Sequence, residues 1–441
     1  MTVPATLHRA ILLGLTLGAA SINGCGGGGG SDSITTPPPP ALTVSSVSPT
    51  SSFRDVTLDV HVLGSGFAQG ARAVWALGAD TSFATTGIRT NSTTFVRASE
   101  LLANITIRAD APAGSFSVNV VAASSKVIIG NVPFSVNLQV ELVDLGAGDN
   151  SVARGINNGG KIVGYRGTTQ QAFLWENGVI TNLGVLPGMT FSAAADVNES
   201  GQVVGVSGTG TIENTIVARG FIWTAAGGMH ALSTLGGAFA SARAINDNGD
   251  IAGTATASGS PGHAVVWRNG VISDLQPASL ALFEGRANAI NNMGEVVGYV
   301  YRQSGFRSTA TVPMTLVPGA GLYYGINNAG CIAAWIGGAI GEGYRTCAGG
   351  SLSIGSCGGG GSRSWAINSA GHVVGDAPTA VPVPGSVQWA AFIWTEGGIT
   401  CFPLPAGANG SSAYGVNDNG WIVGEVGRPV GGNRATLWKV K

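Results

Sequence analysis

The chain has 441 residues, enough for two or three domains with separate cores, and its 71 glycines favour many tight turns over long helices. Its 22 basic and 23 acidic side chains leave a formal net charge of −1 at pH 7. This balance argues against nucleic acid as a partner, because phosphate binding depends on a basic surface that releases counterions.

The first segment has the pattern of an export signal. The apolar run AILLGLTLGAA follows Arg9 and is too short to span a bilayer, which takes roughly twenty apolar residues. The run Ile22-Asn23-Gly24-Cys25 resembles a bacterial lipobox. The resemblance implies that residues 1–25 are a lipoprotein signal peptide and that Cys25 is lipidated. An ordinary cleaved signal is the alternative.

Residues 26–41 form a Gly/Pro-rich linker, GGGGGSDS followed by TTPPPP. A glycine-rich coil and then a stiff polyproline spacer would hold folded domains away from a membrane. We therefore expect a monomeric, exported protein of the cell surface that touches the membrane only through its lipid anchor. Gly26 after Cys25 favours the outer membrane, by analogy with Gram-negative lipoproteins.

Residues 42–137 contain short runs that alternate apolar and polar side chains, such as VTLDVHVLGSGF and SFSVNVVA. This alternation predicts half-buried antiparallel strands of a small β-sandwich. Pro49, the turn at 64–67 (Gly-Ser-Gly-Phe) and Pro112-Ala113-Gly114 resemble the Ig-like domain of plexins and transcription factors, written IPT/TIG. The resemblance implies a spacer or a contribution to adhesion.

From residue 139 to 441 one motif recurs seven times: an apolar residue, Asn, two variable residues, Gly and an apolar pair. Its asparagines are Asn157, Asn198, Asn246, Asn291, Asn327, Asn368 and Asn417. The spacing runs from 36 residues, between Asn291 and Asn327, to 49 residues, between Asn368 and Asn417. A period of this length is typical of propeller blades.

A second landmark is a strand-like run that ends in tryptophan in five of the seven units: Trp175, Trp223, Trp267, Trp394 and Trp438. Each unit is therefore interpreted as four antiparallel strands, the first running into the asparagine and the third ending at the tryptophan. The predicted fold class is all-β, a seven-bladed β-propeller-like repeat domain preceded by a small Ig-like β-sandwich.

The asparagines are interpreted as structural residues of tight turns, since an asparagine amide can bond its own backbone. Asn246-Asp247-Asn248-Gly249-Asp250 faintly resembles a calcium loop, but Asn327-Asn328-Ala329-Gly330 offers no carboxylate. No metal and no cofactor is predicted.

The two ends of the repeat region complement each other. The last unit stops after its third strand, and residues 139–146 look like a fourth strand with no unit in front of it. Pairing of the two would close the repeat and hide its sheet edges.

Apart from Cys25, the chain has four cysteines, Cys331, Cys347, Cys357 and Cys401. An even number in an exported protein predicts two disulfides, with three possible connectivities. Cys331–Cys347 is the preferred pair, because the two cysteines would face each other across one strand ladder, and Cys357–Cys401 then follows by elimination.

The asparagine and tryptophan elements together resemble the bacterial HAF-type extracellular repeats, named for a His-Ala-Phe run. His263 keeps the histidine, whereas Gln171 and Ala391 replace it. The family consists of exported proteins of undetermined activity, so the resemblance implies location and repeat fold.

No catalytic constellation is predicted. His230, His263 and His372 lie in three different units at unrelated positions and are expected to be partly exposed strand residues. The turns on one face are short and constant, whereas the loops on the other face vary, and variable loops on a rigid scaffold are where binding usually resides. These variable loops are Gly208 to Arg219, Thr254 to Gly262, Gly337 to Gly343, Asp376 to Gln388 and Glu425 to Arg434.

The sequence therefore favours a binding or scaffold protein that recognises a glycan or a protein through its variable loops. A glycan-active hydrolase or lyase would need a pair of carboxyl groups, and a purely structural envelope protein is the third possibility. The acids near the variable face are interpreted as solvated loop charges: Glu213, Glu284, Glu342, Asp376 and Glu425.

Overall fold

The computed structural model describes residues 41–440, except 110, 124–126, 212–216, 310, 318, 320, 338–340, 381–387 and 397. The export signal, Cys25, residues 26–40 of the linker and Glu213 lie outside the described residues. Across the part of the chain that is described, no helix has the length and hydropathy to cross a membrane.

Residues 43–137 form two four-stranded sheets, β1-β3-β6-β5 and β2-β8-β7-β4, with one short helix, α1 (Phe83–Thr86). Their strands are β1 (Thr43–Ser48), β2 (Ser51–Phe53), β3 (Val56–Ser65), β4 (Arg72–Ala76), β5 (Ile88–Arg97), β6 (Glu100–Ile107), β7 (Gly114–Val121) and β8 (Val127–Asn137).

Both sheets share one core, in which Trp75 packs edge-to-face on Phe134 with ring centroids 6.0 Å apart. Strand β6 alternates buried and partly exposed side chains along its whole length, with Leu101 and Ile105 fully buried. Such alternation is typical of a strand that has one face on the core and the other on solvent. We refer to residues 42–137 as the sandwich.

Strand β9 (Val140–Asp144) is followed by seven four-stranded sheets, called R1 to R7. R1 contains β10 (Val152–Ile156), β11 (Ile162–Arg166), β12 (Gln171–Glu176) and β13 (Val179–Gly184); R2 contains β14 (Phe191–Val197), β15 (Val203–Gly208), β16 (Ala218–Thr224) and β17 (Gly228–Ala231). R3 contains β18 (Ala240–Ile245), β19 (Ile251–Thr256), β20 (Gly262–Arg268) and β21 (Val271–Asp274), and a 3₁₀ turn at Ala278–Leu280 precedes R4.

R4 contains β22 (Gly285–Ile290), β23 (Val296–Val300), β24 (Ser304–Ser308) and β25 (Thr315–Leu316); R5 contains β26 (Leu322–Ile326), β27 (Ile332–Ile336), β28 (Glu342–Cys347) and β29 (Gly350–Ser353). R6 contains β30 (Arg363–Ile367), β31 (Val373–Pro378), β32 (Trp389–Thr395) and β33 (Gly398–Cys401); R7 contains β34 (Gly410–Val416), β35 (Trp421–Gly427) and β36 (Arg434–Val440), with β9 as its fourth strand.

The first strand of each repeat sheet, called its inner strand, contacts the inner strand of the next sheet. Strand β34 of R7 also contacts β10 of R1, so the contacts between inner strands form a closed cycle. Every strand pair within R1 to R7 is antiparallel, and small apolar clusters fill the spaces between neighbouring sheets. The expectation of an all-β chain built from four-stranded sheets is confirmed.

The seven repeat asparagines link the sheets in a ring. Each is buried directly after its inner strand, and its Oδ1 accepts a hydrogen bond from the N–H four residues later, as in Asn157 with Lys161 at 2.8 Å. Each Nδ2 donates to the carbonyl oxygen of the asparagine in the next sheet, over 2.9 to 3.1 Å. Asn417 of R7 donates to Asn157 of R1 at 3.0 Å, which completes the ring.

The glycine of the motif, three residues after each asparagine, has the backbone angle that the turn requires. Gly160 has φ of 80° and Gly420 has φ of 76°, and the other five are similar. This left-handed conformation is open to glycine and strained for most other residues. In this turn glycine therefore provides the backbone angle, and asparagine provides the side-chain hydrogen bonds.

The apolar pair of the motif is followed by glycine in most repeats, because the second strand passes close to the inner strand. A Cβ on Gly164 would lie 1.9 Å from the Val152 carbonyl oxygen, and one on Gly375 would lie 1.8 Å from that of Arg363. Such distances exclude any side chain without a shift of the backbone.

Strand β9 pairs antiparallel with β36, bringing Val140 opposite Val440 and Asp144 opposite Thr436. Leu145, just after the strand, is buried in a cluster with Phe173 of R1 and Leu437 of R7. Residues from before the first repeat thus complete the last sheet, as the complementary ends of the sequence predict.

Two disulfides are present, as predicted. Cys331–Cys347 lies within R5, and Cys357–Cys401 joins the segment before R6 to the last strand of R6. Cys331 and Cys347 lie beside the first pair of the β27–β28 ladder, where Ile332 faces Thr346. Disulfides persist in oxidising compartments, so the two bonds indicate an exported protein.

Removing the Cys357–Cys401 bond is expected to cost more stability than removing Cys331–Cys347, because it closes the longer loop. The bonds span 44 and 16 residues, for which chain entropy gives about 4 and about 3 kcal/mol. Denaturant unfolding of the two double Cys→Ala variants measures the difference. An equal or reversed order would show that native-state contacts, rather than loop length, set the contribution of each bond.

Candidate functional site

Each of the seven inner strands carries a β-bulge at the same place, three residues before the ring asparagine. A bulge leaves one residue out of the ladder and re-aims its side chain. The bulged residues are Arg154, Ala195, Arg243, Asn288, Tyr324, Trp365 and Tyr414. All seven line one cavity at the centre of the cycle of sheets.

This central cavity has a volume of about 460 Å³, which is within the range of small-molecule sites. Ala195 is the smallest of the bulged residues, and the cavity extends past it to Phe191 and Phe239. The inner strands run from the variable-loop face to the asparagine ring. The cavity therefore lies on the variable-loop side of that ring.

One wall of the cavity is an arc of aromatic rings. Tyr324 packs edge-to-face on Trp365 with centroids 4.6 Å apart, and the arc continues from Trp365 to Tyr414 at 6.4 Å. Tyr299, outside the lining, packs on Tyr324 at 6.2 Å. The guanidinium of Arg154 lies over the Tyr414 ring, 4.2 Å from its centroid. Edge-to-face and cation–π contacts of this kind fix the rings in place.

The phenol groups of Tyr324 and Tyr414 stay protonated at neutral pH. Burial raises the pKa of Tyr324 to about 12, and burial also raises the pKa of Tyr414. Both hydroxyl groups therefore act as neutral hydrogen-bond donors and acceptors.

The cavity is also cationic, with Arg154, Arg243 and Arg286 among its lining residues. Burial lowers the pKa of Arg243 to about 10, and the positive charge of Arg286 adds to the shift. Arg243 still carries its charge at neutral pH. Its buried Nε has no hydrogen-bond partner within the described residues.

Three of the predicted variable-face acids contact residues that line the cavity. Glu284 lies 2.7 Å from Nη2 of Arg286, and Glu425 accepts a hydrogen bond from the Tyr414 hydroxyl at 2.8 Å. Asp376 accepts from Arg363 Nε at 2.7 Å and from Trp365 Nε1 at 3.2 Å.

The interpretation of these acids as solvated loop charges is wrong for Asp376. This residue lies within strand β31 with 1% of its surface exposed, and its ion pair explains how a charge is tolerated there. Glu342 opens strand β28, and the hydroxyls of Ser353 and Tyr344 that bond it lower its pKa.

The histidines do not form a site, and one of them differs from expectation. His263 is buried rather than partly exposed, because Nδ1 bonds Asp274 at 2.7 Å and Nε2 bonds the Ala281 carbonyl at 3.0 Å. Both ring nitrogens are thereby occupied. His230 is exposed, and His372 is partly buried with a pKa lowered by burial.

A partly buried acid follows the small bulged residue of R2. Asp196 accepts hydrogen bonds from the Val197 N–H at 2.8 Å and from the Ile245 N–H of R3 at 3.0 Å. Burial raises its pKa to about 6 despite these two bonds. Oδ2 joins R2 to R3, while Oδ1 accepts from the next residue of its own strand, so the role of Asp196 is structural.

The predicted and the observed sites differ in position. The repeat asparagines and the four cysteines are structural parts of R1 to R7, while the cavity is built from inner-strand side chains that the sequence reasoning did not select. One signal was available: the position three residues before each aligned asparagine holds two arginines, two tyrosines and a tryptophan. Such side chains are unusual in a strand that is otherwise small and apolar.

No protein-family model matches the chain. No curated protein is similar to it. Among solved structures, the chain is similar to a gluconolactonase from Xanthomonas campestris, with 11% sequence identity and a TM-score of 0.35 over 68% of this chain and 90% of that chain.

Proposed function

We propose that the chain is an exported binding protein of a bacterial cell surface, and that it binds a glycan in its central cavity. In this proposal R1 to R7 are the blades of a closed seven-bladed β-propeller, the sandwich is an Ig-like spacer, and Cys25 carries the lipid anchor. The monomer is the working unit, because the cavity is complete within one chain.

The observation that carries the proposal is the convergence of all seven bulged residues on one cavity. Bulges are placed next to functional sites in many folds because they re-aim a side chain without ending the strand. Here they bring aromatic rings, phenol hydroxyls, an amide and guanidiniums together in a ligand-sized space. Sugar rings have an apolar C–H face and a rim of hydroxyls, and this lining offers partners for both.

A binding role fits the carboxylates better than hydrolysis does. A glycosidase uses one carboxyl group as acid and a second as base or nucleophile. Glu284 pairs with Arg286, and Glu425 accepts from Tyr414. Asp376 accepts from Arg363 and Trp365. Their contacts position the lining residues.

We expect Tyr324→Ala to weaken glycan binding at least about tenfold, a loss of about 1.4 kcal/mol, because it removes a ring from the centre of the aromatic arc. The protein without residues 1–25 is first screened on an array of neutral and acidic oligosaccharides, and hits are measured by calorimetry. Tyr301→Ala is the matched control, since Tyr301 is 55% exposed on the variable-loop face outside the cavity.

Thermal melting of both variants checks that each is folded. A larger loss with Tyr301→Ala than with Tyr324→Ala would place binding on the variable loops and overturn the cavity as the site. Absence of any glycan hit would leave the structural role as the better description.

A further inference from the structure

The central cavity carries uncompensated positive charge. Its lining includes three arginines and no carboxylate among the described residues. Arg286 is matched by Glu284, 2.7 Å away. No described carboxylate forms an ion pair with Arg154 or Arg243, so two cations face the cavity in a chain whose formal net charge is −1.

Several guanidiniums elsewhere in the repeat sheets have acidic partners. These pairs are Arg268 with Asp250, Arg307 with Glu295, Arg363 with Asp376, and Arg434 with Asp149. Arg219 instead donates to the carbonyl oxygens of Ala218 and Ala238. Arg154 and Arg243 have no acidic partner among the described residues, and both line the central cavity.

Arg243 also has a free donor. Its Nε is buried, and among the described residues nothing accepts a hydrogen bond from it. A buried donor without a partner is unfavourable, and the guanidinium fork fits the two oxygens of a carboxylate or a sulfate. An anion in the cavity would offset the repulsion between Arg243 and Arg286.

We propose that the cavity selects an anionic saccharide, with the acidic group bound by Arg243 and Arg154 and the sugar ring held against Tyr324 and Trp365. This inference rests on the proposed function and narrows its ligand to one chemical class. The acidic group is a uronate carboxylate or a sulfate ester, which present similar oxygens to a guanidinium. The aromatic arc favours a ring-bearing ligand over an acidic peptide.

The test uses calorimetry on the protein without residues 1–25 and trisaccharides of galacturonate, glucuronate and mannuronate. Each is compared with its methyl ester, which removes only the charge, and with a sulfated and an uncharged trisaccharide. We expect the acid or the sulfate ester to bind at least tenfold more tightly than the matched neutral sugar. Which of the two binds identifies the source of the charge.

The variant Arg243→Gln is expected to remove this preference, while Arg243→Lys, which keeps the charge but not the fork, keeps part of it. Arg302→Gln is the matched control, because Arg302 is exposed on the variable-loop face and lies over the Tyr301 ring, outside the cavity. An unchanged preference in Arg243→Gln would overturn the assignment.

Equal binding of acidic and neutral sugars would refute the charge selection and leave glycan binding intact. Binding of an oligoglutamate peptide in place of every saccharide would refute both and show a protein partner. Failure of every saccharide to bind would likewise count against both proposals.

Discussion

Replacing residues 140–146 by a Gly/Ser segment of equal length is expected to lower the free energy of unfolding of the repeat region by more than about 5 kcal/mol. R7 would lose its fourth strand, and the cluster that holds Phe173 and Leu437 would lose Leu145. The leucine alone accounts for about 2–5 kcal/mol by analogy with buried Leu→Ala changes. The exposed edge of β36 would also promote aggregation. Denaturant unfolding and light scattering measure the two effects.

Two single variants separate packing from strand pairing. Leu145→Ala removes a buried side chain, whereas Leu142→Ala changes a residue on β9 that is 41% exposed. We expect a cost of about 2–5 kcal/mol for the first and below about 0.5 kcal/mol for the second. Unchanged unfolding of the Gly/Ser variant would show that β9 is dispensable and that the repeat does not depend on its closure.

Asn417→Asp is expected to destabilise the protein by about 3–5 kcal/mol at neutral pH, because it sets a buried carboxylate against a carbonyl. Asn417 donates through Nδ2 to Asn157 O and accepts at Oδ1 from the Trp421 N–H at 2.9 Å. An aspartate keeps the acceptor and loses the donor. Because the protonated acid can donate, stability of the variant should recover as the pH falls, and unfolding midpoints at pH 4 and pH 7 report this difference.

Asn419→Ala is the matched control for this prediction. Asn419 lies in the same turn and also donates to R1, to the Asn158 carbonyl at 2.9 Å, but it is exposed. We expect its loss to cost below about 1 kcal/mol, since water replaces an exposed partner. A similar loss of unfolding free energy in both variants would mean that burial does not strengthen the hydrogen bonds of the asparagine ring.

The repeat sheets could be predicted because their landmarks recur. Asn157 and its six equivalents mark the ends of the inner strands, and Trp175 and its equivalents mark the third strands. The sequence pattern of a single short strand is ambiguous, but its recurrence in seven units is not. The spare strand at 140–144 and the two disulfides followed from the same alignment.

The cavity could not be predicted in the same way. Its seven bulged residues differ from one repeat to the next, so the aligned motif has no common residue there. Nor does local sequence encode a bulge: glycine follows Arg154, whereas Asp196 follows Ala195. Burial of His263 and Asp376 was missed because it depends on Asp274 and Arg363, which lie 11 and 13 residues away.

Because each bulged residue lies outside the hydrogen-bonded ladder, its side chain can be replaced without changing the pairing of the strands. The asparagine and glycine of every repeat can stay fixed under selection while the neighbouring bulge position drifts, and arginine, alanine, asparagine, tyrosine and tryptophan all occur there. A repeat protein of this kind can acquire a new ligand by exchanging side chains at seven positions, with no insertion and no change of loop. The side chains at the centre of this scaffold can therefore change during evolution, whereas central residues in most folds tolerate little change.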